Sequence, residues 1–484
     1  MIQRRTNMPN YRNSLVLFLF LIGPISCKFS FLNGTAVPVT ATEPLTFSPA
    51  TDTPLAAGTS APTSLNPTGP YVMYAGSSGI WISNPDGSFM TQLTTLAVER
   101  DDLHRLISPQ GDRMALIALN DQGIDLVEIK IPSGETKTIT RLYSMTSAEV
   151  AADPKGARAI AYYALANYQN VTWQPGEGRL LAFMGALDGP TSDLYLYDTQ
   201  SGEIVKLTDG PFQAVFPNWS PDGQYVLHYG VSYVEPFGGP IGGHTRLDGV
   251  WAVRVADRQI ITQPTPQGIH LSFVGWQDAA HYITYDSDGT SHSQNLRSVD
   301  VVSGAVISLM GFSFDSEIAR CPENGALLFS SKAGYANSPG DGVFLLLPGQ
   351  TTPTRLSDKS ISNIFWAPES RVFQAYAEGL YSSDGTPYDP PVYGSSYQAA
   401  ISQKGYQAWE VIENQQGRLD LRAPGGNWQT ILAQQPHLLI WDPASGETLL
   451  IVLNDGSFYA ASSPDFTPRL LGNIDNPSQV VWVP

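Results

Sequence analysis

The pentapeptide Trp219-Ser220-Pro221-Asp222-Gly223 constrains this chain more than any other feature. An apolar run ends at the tryptophan, and another, Tyr225-Val226-Leu227, starts just after the glycine. Proline presets φ and glycine supplies a positive φ, so the segment spells strand, tight turn, strand. A single copy describes an ordinary hairpin. Here degraded copies recur, each ahead of an apolar run. They are Ile107-Ser108-Pro109-Gln110-Gly111, Trp173-Gln174-Pro175-Gly176, Trp276-Gln277-Asp278, Cys321-Pro322-Glu323-Asn324-Gly325, Trp366-Ala367-Pro368-Glu369, Ile401-Ser402-Gln403-Lys404-Gly405 and Trp441-Asp442-Pro443-Ala444-Ser445-Gly446. Most spacings fall near the ~40–50-residue period of four-strand repeats. A wider first gap holds an insertion.

Each copy has a second half, as in Asp193-Leu194-Tyr195-Leu196-Tyr197-Asp198 followed by Ser201-Gly202-Glu203. Four short strands joined by glycine turns make one propeller blade. The pattern predicts an all-β chain, a single β-propeller of four-stranded blades. The repeats resemble the TolB-like, PD40-type (WD40-like) β-propeller family, of the exported bacterial lipoprotein type, over residues 71–484. The motif positions that carry the resemblance are Trp173, Trp219, Pro221, Asp222, Gly223, Trp276, Trp366, Trp441 and Trp482. Cys321 departs from the pattern by standing where tryptophan is usual, and the Trp276 copy lacks its proline and glycine.

The last residues, Gln479-Val480-Val481-Trp482-Val483, read as the start of another repeat, and the repeat region opens at Tyr71 with the missing remainder. Joining the two in one blade would remove both open sheet edges. That gives nine units. Propellers usually have four to eight blades, so about eight are expected here, within a range of roughly seven to nine. The 44 glycines and 37 prolines fit a turn-dense all-β chain. One stretch, 157–167, looks helical. It follows Thr146-Ser147-Ala148-Glu149, which has capping-box spacing, and Pro154 and Gly156 would interrupt any helix running between them.

Residues 1–27 read as an export signal. Arg4, Arg5 and Arg12 precede the apolar run Ser14-Leu15-Val16-Leu17-Phe18-Leu19-Phe20-Leu21-Ile22, and Ile25-Ser26-Cys27 resembles the end of a bacterial lipobox. Cys27 is the expected site of lipid attachment, although Pro24 stands where leucine is usual. Residues 28–70 are rich in Thr, Pro, Ser and Ala and carry almost no charge. They read as a disordered tether, because such a composition buries too little apolar surface to offset its ordering entropy. The only other cysteine, Cys321, reads as a buried small hydrophobe. Net charge is −17, which argues against nucleic acid and against lying flat on anionic lipid. Membrane association is expected only through the N-terminus, in a chain that is a monomer of the bacterial cell envelope or secreted.

The sequence holds no Gly-x-Ser-x-Gly elbow, no phosphate loop, no His-Glu-x-x-His and no Cys-x-x-Cys. His228, His244, His270, His281 and His292 are irregularly spaced, and Asp286, Asp288 and Asn295 do not match a calcium loop, so no metal and no cofactor are expected. The b–c connections at 230–246, 286–295 and 332–341 and the 157–167 insertion fall on one end of the disc. Tyr233, Phe237, His244 and Arg246 are therefore the candidate binding face, since loops on a rigid scaffold carry recognition. The expectation is a non-catalytic binding or scaffold module for a protein or glycan of the envelope. The resemblance implies protein partners such as a peptidoglycan-associated lipoprotein, but the N-terminal α/β domain of TolB has no counterpart in the sequence. The alternative is a glycan hydrolase or lyase with acidic residues at the central channel, where two carboxylates would converge at about 5–10 Å.

Overall fold

A computed structural model describes residues 64–484, apart from 97, 99–102, 155, 168, 237–242, 265–269, 288–292, 314–317, 322–323, 334–337, 360–363, 368–371, 376–378, 389–398, 414–415 and 475–478. The chain divides into Met1–Thr59 and Ser60–Pro484. The signal segment, Cys27 and nearly all of the tether lie outside the described residues.

Strands make up 54% of the chain and helices 6%, so the all-β reading holds. The described strands form nine antiparallel sheets arranged as a propeller. We number the blades I to IX along the chain and label strands a to d from the axis outward. Strand a of each blade follows from the motif. It is Val171–Trp173 in blade III, Gln213–Trp219 in IV, His270–Trp276 in V, Ile318–Arg320 in VI, Ile364–Ala367 in VII, Ala399–Ile401 in VIII and Pro436–Trp441 in IX. In blade I the chain's last strand, Gln479–Val483, pairs antiparallel with Tyr71–Gly76, placing Tyr71 opposite Val483. Burial falls toward the rim: strand b of blade VI, Leu327–Ser331, is wholly buried, whereas its strand d, Thr354–Ser357, is exposed to half-buried.

The nine blades lie at the upper end of the expected range of seven to nine. Every one of the nine sequence units forms a sheet, including the degraded ones. Eight have four strands, and blade II has three: Arg113–Asn120, Gly123–Lys130 and Thr136–Tyr143. Its inner position is filled by a short helix, α1 (Leu103–Leu106), and a single bridge between Ile107 and Met114.

Neighbouring blades are joined where the motif turns meet. Gly223 in the a–b turn of blade IV has φ +69°, and a Cβ there would lie 3.0 Å from the Gln174 amide of blade III. The Gln174 side chain in turn donates to the Gly223 carbonyl at 3.4 Å. The same clamp recurs: Gln110 of blade II donates to the Gly176 carbonyl at 2.7 Å, and Gln403 of blade VIII to those of Pro443 and Ala444 in blade IX. The motif tryptophans add a second bond. Trp173 Nε1 donates to the Leu106 carbonyl at 2.8 Å and Trp219 Nε1 to the Thr172 carbonyl at 3.1 Å, each time reaching back one blade. Trp276, Trp366, Trp441 and Trp482 keep their indole nitrogens buried with no acceptor among the described residues. Cys321 is fully buried at the motif position.

The insertion between blades II and III is helical, as its pattern predicts. Thr146 caps α2 (Ser147–Ala152) in a reciprocal capping box with Glu149, and α3 (Ala157–Ala166) starts after Gly156. The break falls between Asp153 and Gly156. Among the described residues no helix is long and apolar enough to cross a membrane.

Trp219 is 7% exposed and bonded across the seam. Trp219→Ala should therefore cost ~3–5 kcal/mol of stability, the usual cost of truncating a core aromatic. Urea unfolding checks this; a loss below about 1 kcal/mol would mean the ring contributes little to the seam.

Candidate functional site

The end of the disc carrying the b–c and d–a connections is the elaborated one, but its largest feature is strand and not loop. Residues 230–246, expected as a loop, continue strands b and c of blade IV, Tyr225–Pro236 and Gly243–Arg254. Strand a pairs with strand b only as far as Val231, and strand d reaches strand c only as far as Gly249. Beyond those points the two strands run on as a ribbon in which Tyr233 is opposite Arg246 and Glu235 opposite His244. By strand alternation, positions 233, 235, 244 and 246 share one face of it. Phe237 lies outside the described residues. At about 3.3 Å per residue, the paired positions 233–236 extend the blade by roughly 13 Å.

The ribbon's root is aromatic. The Trp251 ring occupies the space a side chain at Gly230 would need. It stacks on Phe212 with ring centroids 5.4 Å apart and meets His228 at 5.6 Å. His228 is buried. Its Nδ1 bonds the Tyr229 carbonyl at 3.1 Å, its Nε2 has no partner, and burial pulls its pKa down to about 4. The imidazole is therefore neutral at pH 7. It is a core group, and the described residues hold no cluster of metal-ligating side chains.

A second constellation lies at the inner rim of blades I to IV, and sequence reasoning missed it. Phe216 has φ +58°, rare for a bulky non-glycine residue, at a bulge between Val215 and Asn218. Its N–H donates to Asn170 Oδ1 at 3.3 Å, and its carbonyl accepts from Asn218 Nδ2 at 3.0 Å. The buried Asn170 amide also donates to the Ala164 and Leu165 carbonyls at the end of α3. Arg105 of α1 donates to Gln169 Oε1 at 3.0 Å and to the Pro217 carbonyl at 2.9 Å. Gln479 of blade I accepts from the Leu103 N–H. The one available signal was Pro217 inside an apolar run, since proline within a strand marks a bulge. Strain of this kind persists where surrounding structure over-determines it and clusters at functional sites.

The other expected positions are structural. Asp286 pairs with Arg297 at 2.5 Å across strands b and c of blade V, and Asp288 is outside the described residues. The buried Asp193 accepts from Thr208 and Gly210 and pairs with Lys206; burial raises its pKa. Among the described residues the inner strands carry no Asp or Glu. A channel carboxylate pair would have to come from the connections.

No family model matches the chain. A 55-residue stretch is 46% identical to the uncharacterized peptidase YuxL of Bacillus subtilis, covering 11% of this chain and 8% of that one. The chain thus spans under a tenth of the curated relative it matches. Solved structures that resemble it include Porphyromonas gingivalis dipeptidyl peptidase 4 (TM-score 0.49, 11% identity, 77% of this chain and 60% of that one). An oligogalacturonate lyase from Vibrio parahaemolyticus gives 0.36, with 11% identity over 75% and 86%. TolB from Acinetobacter baumannii gives 0.27, with 12% identity over 77% and 82%. The match to a peptidase overturns the expectation of a non-enzyme, which rested on missing sequence motifs.

The His228 pKa predicts a pH dependence. The unfolded imidazole takes up its proton near pH 6.5 and the folded one only near 4. Stability is therefore complete above about pH 6.5 and falls by on the order of 3 kcal/mol toward pH 4. Denaturant titrations at pH 7 and 4.5 should show a markedly smaller loss for His228→Leu than for wild type. Parallel losses would mean the imidazole is solvated.

Proposed function

We propose that this chain handles peptides: the propeller holds an extended peptide at its elaborated end for hydrolysis. The observation that carries this reading is the 55-residue segment shared with a protein named as a peptidase. The geometry suits it. A paired ribbon, a helical insertion and a strained inner rim stand on one rigid ring, and recognition usually resides on such elaborations. Strands a and d of the blade do not pair with the ribbon beyond Val231 and Gly249, which leaves its edges for an extended peptide to add to as a strand.

We also read the pairing of Gln479–Val483 with Tyr71–Gly76 as the closure of the ring. Its register supports this. So does Gly111 of blade II, where an added Cβ would meet Val483 and Pro484. As a further proposal, Cys27 is acylated and tethers the ring to a bacterial envelope membrane through residues 28–70. The apolar run ending just before the cysteine supports it.

Peptide handling is tested with the purified chain, a fluorogenic peptide library and fluorescence anisotropy on labelled unstructured peptides. Saturable cleavage or binding is expected. Replacing residues 231–246 by a short turn should weaken it at least tenfold while leaving the ring folded. Neither cleavage nor binding would overturn the reading. For the anchor, labelled palmitate should enter wild type and not Cys27→Ser; equal label in both, or none in either, excludes it.

A further inference from the structure

The inner strands hold one feature that the peptide-handling reading has not used. In a chain with 44 acidic and 27 basic residues, they contain no carboxylate and a single Lys or Arg, Arg320, the last residue of strand a in blade VI. Its side chain leans toward blade V, where it fills the space over Gly275; a Cβ at that glycine would overlap Arg320 Cδ. Nε is buried with no acceptor. The guanidinium makes no ion pair among the described residues, and burial lowers its pKa to about 10. It is charged at neutral pH.

Arg320 as a whole is half-buried, so its guanidinium is partly desolvated and keeps an opening to solvent. A partly desolvated cation without a carboxylate partner gains from an anion supplied from outside. Arg105, the cation of α1, spends its guanidinium on Gln169 and on the Pro217 carbonyl. Arg320 has no such partners among the described residues. Strand a bonds only to strand b within each sheet, so its other edge is free along the axis beside this charge. A free strand edge next to an unpaired guanidinium is complementary to an extended chain ending in a carboxylate. Its backbone can meet the edge, and its terminal oxygens fit the planar donor fork.

We propose that Arg320 is the anion-binding position of the central channel and takes the carboxylate of a peptide ligand. This rests on the peptide-handling reading, and the test separates the two. Affinities are measured by anisotropy for one labelled peptide carrying a free C-terminal carboxylate and for its C-terminal amide. The proteins are wild type, Arg320→Met, Arg320→Lys and Gly275→Ala. Melting temperature is followed with sodium acetate and with sodium phosphate at matched ionic strength. Wild type should prefer the free acid by on the order of tenfold. Arg320→Met should lose the preference yet melt no lower than wild type, because it removes a partly desolvated charge that has no carboxylate partner among the described residues. Arg320→Lys should keep part of the preference, and Gly275→Ala should weaken it by displacing the arginine stem while leaving its charge. Equal affinity for acid and amide in wild type, or an undiminished preference in Arg320→Met, overturns the proposal and leaves peptide handling standing. If neither peptide binds, the peptide reading fails. The anion position then stands only if acetate or phosphate raises the melting temperature of wild type and not of Arg320→Met; acetate-specific stabilisation would point to carboxylates, and stabilisation by phosphate to a free inorganic anion.

Discussion

The close seating of one motif turn against the preceding blade is the contact on which the rest of this ring depends. A propeller blade cannot bury its own faces, so each must present a surface that its neighbour fits. Here the fit is made by small parts of one short motif. A glycine in the a–b turn removes the Cβ that would strike the previous turn. A glutamine of the earlier blade bonds that turn's backbone, and a tryptophan reaches back to a carbonyl of the earlier inner strand. Repeating a weak seam around a ring adds nearest-neighbour terms, which is how repeat proteins accumulate stability.

The seams are unequal, and their inequality bears on function. Between blades II, III and IV both the tryptophan and glutamine bonds are made. One continuous apolar cluster includes residues of blades II to V together with α3. The departures from regular repeat geometry sit in this sector: the helix in place of an inner strand, the positive φ at Phe216, and the ribbon of blade IV. A well-stitched sector can hold strained and protruding elements that a looser one could not, and binding elements need such rigid support. In blades V, VII, IX and I the motif indoles have no acceptor among the described residues, and the seam into blade IX keeps only the glutamine half of the clamp.

Much of the fold was legible because its determinants are local. A Pro-Asp-Gly turn, a Thr-x-x-Glu cap and the break at Pro154 and Gly156 act within a few residues, so their patterns specify the structure they form. The blade count was readable from the same repeats, and it was held near eight only by the usual size of propellers. What sequence did not reveal depends on partners far along the chain. That Ile107 would keep one bridge and yield its place to Leu103–Leu106 depends on Gln479, more than 370 residues away. The Phe216 backbone is fixed by Asn170, and the solitude of Arg320 is a property of eight other inner positions. The ribbon was misread as a loop because its glycines, Gly238, Gly239, Gly242 and Gly243, suggested a break, while pairing runs up to Pro236 and resumes at Gly243.

The central claim, that a–b turns are glycine because of the neighbouring blade and not only because of their own backbone, has a direct test. Gly325 lies in an a–b turn at φ +73° and Gly304 in a c–d turn at φ +70°. A Cβ at Gly325 would overlap the Gln277 carbonyl oxygen of blade V, whereas one at Gly304 would meet nothing within 4 Å. Both glycine-to-alanine changes carry the same left-handed backbone cost of ~1–2 kcal/mol. Equilibrium urea unfolding of the two variants isolates the seam. The account predicts that Gly325→Ala loses at least about 1–3 kcal/mol more than Gly304→Ala, the range for forcing an atom into packed structure. Equal losses would contradict it.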